Sequence, residues 1–201
     1  MIMDEPADSV MVSEEIKKGL LYAALGFMFV LVNINLQFDT KSINIIPDFI
    51  GFILLYLSLG YLGNYAADKG YLKWIAMVLT VCTAALWIFG LVSDADIYPV
   101  RSGLSLVKAF FMFVYLGIIA QIAYDYQSVR ADTLNMLRYV SAGVEVFLAV
   151  LSVFVSLFMA ADGRVNPTGA MLVLFGGLVG LAAAVWTMFT LFGVRKEIAQ
   201  M

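Results

Sequence analysis

The chain has 201 residues, of which 63% are hydrophobic and 13% charged, with a formal net charge of −3 and a mean hydropathy of +0.94. Soluble domains carry about twice that charged fraction, and a soluble fold of this size could not hide so much apolar surface. The negative balance disfavours nucleic acid as a partner, and with no histidine and one cysteine, imidazole and thiolate metal centres, histidine-based triads and intrachain disulfides are excluded.

The fold class these numbers predict is all-α, an integral membrane bundle of six transmembrane helices. Residues 1–15 read as an acidic cytoplasmic tail without the basic start and apolar core of a cleaved signal peptide. Residues 16–198 read as one transmembrane domain. Ser13-Glu14-Glu15 marks a helix start, and Lys17 and Lys18 precede a first span from Gly19 to about Phe38. Gly19, Ala23, Gly26, Asn33 and Gln37 fall at steps of three, four and seven, which puts small and amide side chains on one face. Asn33 is therefore a candidate polar site, by helix–helix hydrogen bonding or by contact with a ligand.

Pro47 and Asp48 open the second span, which ends near Gly63. Proline loses nothing in a first helical turn, and a carboxylate beside it faces the positive end of the helix dipole. Asp48, Gly51 and Ser58 share a face. A third span runs from Trp74 to Val92, followed by a polar turn holding Asp94, Asp96 and Pro99. Asp39, Asp48, Asp94 and Asp96 lie on one side of the membrane in this topology, but hard cations need several converging oxygens and no metal site is expected.

The fourth span, about Leu104 to Tyr124, contains Lys108, whose ammonium must reach an interface or a counter-ion. A loop over Asp125 to Arg138 leads to a fifth span, Tyr139 to Ala160. There Ser141, Glu145, Ala149, Ser152 and Ser156 form the most continuous polar stripe in the chain. The sixth span, Gly169 to Val194, carries Gly176 and Gly180 on a close-packing face. Eight Lys/Arg residues flank the side holding both termini and three the other, with Lys108 inside a span. That asymmetry predicts cytoplasmic N- and C-termini in a plasma membrane.

Lys-Lys-Gly-Leu-Leu-Tyr from Lys17, Val-Asn-Ile-Asn-Leu from Val32 and Ile-Asn-Ile-Ile-Pro-Asp-Phe-Ile-Gly-Phe-Ile-Leu from Ile43 together resemble a group of small uncharacterised multi-spanning membrane proteins of clostridia-like Gram-positive bacteria. The likeness covers about Lys17 to Tyr65. It implies a bacterial plasma membrane and brings no activity with it.

The candidate functional residues are Asn33, Asp48, Lys108 and Glu145. Counting depth from the expected span ends, Asp48 and Lys108 share the outer half and should pair. Glu145, entering from the other side, should sit more than about 10 Å deeper than Lys108. No catalytic, cofactor or metal residue is expected. The function these features favour is that of a non-enzymatic accessory or regulatory membrane protein, with a lipid bilayer around it and a membrane-protein partner or second copy beside it. The alternative is a small transporter or channel using Glu145 and Lys108.

Overall fold

The computed structural model describes residues 7–31, 35–38, 41–44, 47–92, 98–158 and 167–200. Among them are six long helices: α1 (Ala7–Leu31), α2 (Asp48–Tyr61), α4 (Tyr71–Val92), α5 (Tyr98–Asp125), α6 (Ala131–Phe158) and α7 (Pro167–Ile198). A one-turn helix α3 (Gly63–Ala66) lies between α2 and α4, and two short strands, β1 (Asn35–Phe38) and β2 (Lys41–Asn44), lie between α1 and α2. Four helices, α4 to α7, are long and apolar enough to cross a membrane. At fourteen residues, α2 is apolar but shorter.

Each helix packs on the next in chain order, and α7 packs back on α1, so the six close into a ring. α5 also sends side chains across it. Phe111 lies edge-on to Phe52 of α2, and Tyr115 packs against Phe27 of α1. These residues, with Leu20, Leu55, Leu59, Met112 and Ile119, form the buried core.

The glycines expected to pack do so, Gly176 and Gly180 of α7 against Leu148 and Val144 of α6, and the others between α1 and α2. A Cβ on Gly26 would meet Leu55 and the Gly51 carbonyl, and one on Gly51 would meet Val30 and the Gly26 carbonyl. Gly19 faces Leu62 in the same way. Beside Gly19, Ser58 donates 2.6 Å to the Gly19 carbonyl and accepts from the Tyr115 hydroxyl at 2.6 Å, both side chains fully buried. α1, α2 and α5 are thus joined through one satisfied polar chain.

One end of the bundle gathers both termini of the helical domain. Arg195 Nε near the end of α7 donates to the Lys17 carbonyl of α1, while Arg130 Nε and Ser128 Oγ in the α5–α6 turn both reach the Glu197 carboxylate.

Two expectations are corrected here. The first span does not continue to Phe38, because α1 ends at Leu31 and residues 35–38 pair antiparallel with residues 41–44, Asn35 opposite Asn44 and Phe38 opposite Lys41. Polar residues at 33, 35 and 37 alternate with apolar ones at 32, 34, 36 and 38. That period of two is a strand's, although Asn33 and Gln37 also fit a helical spacing. The loop over Asp125–Arg138 shrinks to a tight turn. Ser128 N–H bonds to the Ala123 carbonyl and Gln127 N–H to the Tyr124 carbonyl, with Gln127 at φ 48°. This is a Schellman ending. Ser128 Oγ then accepts from Arg130 N–H, and Asp132 faces the positive end of α6, which begins at Ala131.

Candidate functional site

The shortened turn decides the site. Starting α6 at Ala131 rather than Tyr139 adds eight residues, about 12 Å of helix at 1.5 Å each. In the antiparallel α5–α6 hairpin, Glu145 therefore lies level with Lys108, and Oε1 of Glu145 is 2.9 Å from the Lys108 ammonium. The expected separation of the two is overturned. Lys108 stands ten residues from Tyr98 and seventeen from Asp125, at least about 15 Å from either end of its helix.

Two further helices supply the rest of the ammonium's surroundings. Lys108 Nζ donates to the Val30 carbonyl at 3.3 Å, one residue before α1 ends. Terminal carbonyls lack an intrahelical donor and carry the negative end of the helix dipole, so a cation is favoured there. Asp48, the first residue of α2, also acts on Lys108 through its charge. Four helices thus converge on one cation: α1 by a carbonyl, α2 and α6 by carboxylates, and α5 by the lysine itself. In their ionised forms the three side chains carry a net charge of −1.

Pro47 is the N-cap of α2 and makes no side-chain cap bond. The α1 and α2 helices stop at the same level because they are antiparallel partners crossing at Gly26 and Gly51. The helix break beside Lys108 follows from that crossing and from Pro47, which cannot continue a helical hydrogen-bond ladder toward its N-terminal side.

Of the four candidates, the structure brings together Asp48, Lys108 and Glu145. Asn33 lies outside the described residues, as do Asp39, Asp94 and Asp96. Sequence reasoning passed over the Val30 carbonyl, which no residue type announces, and Arg138, assigned to a loop. Arg138 lies over the Phe113 and Tyr139 rings, 4.7 Å from each centroid, and donates to the Tyr139 hydroxyl at 2.9 Å. Gly117 of α5 leaves room for its guanidinium. Among the described residues, no group of three or more acidic or thiol side chains is arranged to hold a metal.

No family model matches the chain, and no curated protein or solved structure matches it.

Proposed function

We propose that this is a non-enzymatic integral membrane protein that moves a proton or small cation through a six-helix membrane bundle, with both termini cytoplasmic in a bacterial plasma membrane. The observation carrying this reading is the convergence on Lys108 of Glu145 at 2.9 Å, the Val30 carbonyl at 3.3 Å and the charge of Asp48. Ionisable groups inside spans are rare and costly, and they recur along ion and proton pathways. Helices that stop within the membrane, presenting a carbonyl end and an N-terminal end to one site, are a recurring device of transporters. Here the apolar helical part of α1, Gly19–Leu31, and all of α2 each reach only about 20 Å, short of a hydrocarbon core of about 30 Å. Two carboxylates around one ammonium favour a positively charged passenger.

The test is flux into sealed proteoliposomes carrying a trapped pH dye. An imposed proton or potassium gradient should collapse faster than in protein-free vesicles, and Glu145→Gln should remove the difference. Flux equal to that of empty vesicles would reject the reading.

The accessory or regulatory role is the second reading. It is favoured by the closed geometry of the Lys108–Glu145 pair, which also ties α5 to α6. A stable partner recovered with the full chain from its own membrane, together with inactive proteoliposomes, would select it.

A further inference from the structure

Ser141 and Arg138 present two polar atoms that the protein leaves unsatisfied. Ser141 is 5% exposed, and its Oγ is sealed without a hydrogen-bond partner. Four threonine hydroxyls in this bundle turn back to the carbonyl four residues earlier. Thr80, Thr83, Thr187 and Thr190 all do so, at 2.6 to 2.8 Å. Ser141 does not. Nε of Arg138, one turn away on the same helix, is likewise sealed and unpartnered. A buried unpaired donor or hydroxyl costs about 1–3 kcal/mol, so two on one helical turn call for a shared partner.

Both lie on the path to the ion pair. Arg138, Ser141 and Glu145 are spaced by three and four residues and share the face of α6 that meets Gly117 and Lys108 of α5. Along the axis the steps are about 4.5 and 6 Å, each within reach of one bridging water. At its far end, the Lys108 and Glu145 side chains keep 16% and 17% of their surface open. Charged surface open to hydrocarbon would be far costlier than the same surface open to water.

We propose that the α5–α6 seam, closed around Arg138 Nε and Ser141 Oγ in this structure, opens from the end bearing the α5–α6 turn to admit water, which bridges those two atoms and reaches the Glu145 carboxylate. Glu145 then exchanges its proton with that side of the membrane. Lys108 of α5 faces it directly; Asp48 of α2 and the Val30 carbonyl of α1 act on that same ammonium, and Arg138 lies two turns earlier on its own helix. The inference deepens the transport reading by assigning the side from which Glu145 is reached, and it rests on α6 spanning the bilayer.

The test uses the full chain with Cys82→Ser, in sealed proteoliposomes, and a membrane-impermeant cationic methanethiosulfonate added on the side of the turn. Three single-cysteine proteins are compared: Gln127→Cys at the turn, Ser141→Cys on the path, and Val150→Cys on the outer face of α6, where Val150 is 46% exposed. A thiol needs water around it to ionise and react, so Ser141→Cys should react about tenfold or more faster than Val150→Cys. Addition from the opposite side should give no such advantage. Arg138→Cys supplies a second position, expected to react between Gln127→Cys and Ser141→Cys, and it decides the matter if Ser141→Cys does not fold. Path positions as slow as Val150→Cys, with Gln127→Cys reactive, would overturn the water path alone. Val150→Cys reacting as fast as Gln127→Cys would instead overturn the bilayer embedding of α6, and the inference with it.

Discussion

Lys108 and Glu145 face each other across the α5–α6 hairpin at 2.9 Å, with side chains only 16% and 17% exposed. Removing one partner of such a pair strands the other's charge, at a cost of about 3 kcal/mol or more, whereas removing both strands neither. Glu145→Gln and Lys108→Met should each lower the unfolding midpoint of the detergent-solubilised protein, and the double variant should recover much of the loss. Asp48→Asn should couple to Lys108→Met in the same sense, since the Asp48 charge also acts on that ammonium. Additive losses for Lys108 and Glu145 would show that the contact contributes nothing to stability.

The Tyr115–Ser58–Gly19 chain predicts an asymmetry between two deletions of one oxygen. Tyr115→Phe removes a donor to Ser58, which keeps its own bond to the Gly19 carbonyl, and should cost about 1 kcal/mol. Ser58→Ala strips the Tyr115 hydroxyl of its acceptor in a fully buried setting and the Gly19 carbonyl of the donor it has beyond its own helix, and should cost about 2 kcal/mol. Denaturant unfolding of the two variants in one detergent gives the order. A smaller loss for Ser58→Ala would mean that the hydroxyl finds another acceptor.

Much of this bundle is legible in the residues. Apolar runs bounded by Lys, Arg, Gly and Pro find α4 to α7 and place α4 and α7 to within about a turn, and the Gly19, Ala23 and Gly26 face points to helix packing by α1. The failures share a physical origin. The residue types at 32–38 satisfy both a strand's and a helix's spacing, and only the pairing of 35–38 with 41–44 selects the strand there. Residues 131–138 carry Asp132 and Arg138, so hydropathy alone ends the span there. Ser128 followed by an acidic first turn is the helix-start signature that would have extended it. The site inherits this error, because a two-turn shift in the start of α6 separates Glu145 from its true partner. No single-sequence pattern reports that the Val30 carbonyl faces a lysine 78 residues away.

Tyr65, in α3 beyond the end of α2, predicts an alkaline dependence. Burial, the Asp125 charge and a hydrogen bond to Asp125 push its phenol up to about 12 from an ordinary value of 10.0. The folded state therefore holds a proton that the unfolded chain releases earlier. That contribution to stability is complete below pH 10 and is lost as pH rises through about 12. The wild-type chain should be more stable than Tyr65→Phe at about pH 9, and the gap should close toward about pH 12. Unfolding midpoints of both proteins along that range measure it, and a gap independent of pH would assign the difference to packing alone.

The crossing of α1 and α2 predicts that two glycines on α2 respond oppositely to the same methyl group. At Gly51 an added Cβ would run into Val30 and lie 2.7 Å from the Gly26 carbonyl. Backbone cannot turn aside as a side chain can, so α1 and α2 would have to separate. Overpacking of this kind costs about 1–3 kcal/mol. At Gly60 an added Cβ meets nothing within 4 Å, and the position lies inside α2. Alanine there gains helix propensity of up to about 1 kcal/mol with no clash to set against it. Gly51→Ala should therefore lower the unfolding midpoint and Gly60→Ala leave it unchanged or raise it. Separation at Gly51 would also move the α1 carbonyl end and the first turn of α2 away from Lys108, so Gly51→Ala should slow any Glu145-dependent flux while Gly60→Ala spares it. Equal stability of the two alanine variants would show that α1 and α2 do not approach as closely as their glycines allow.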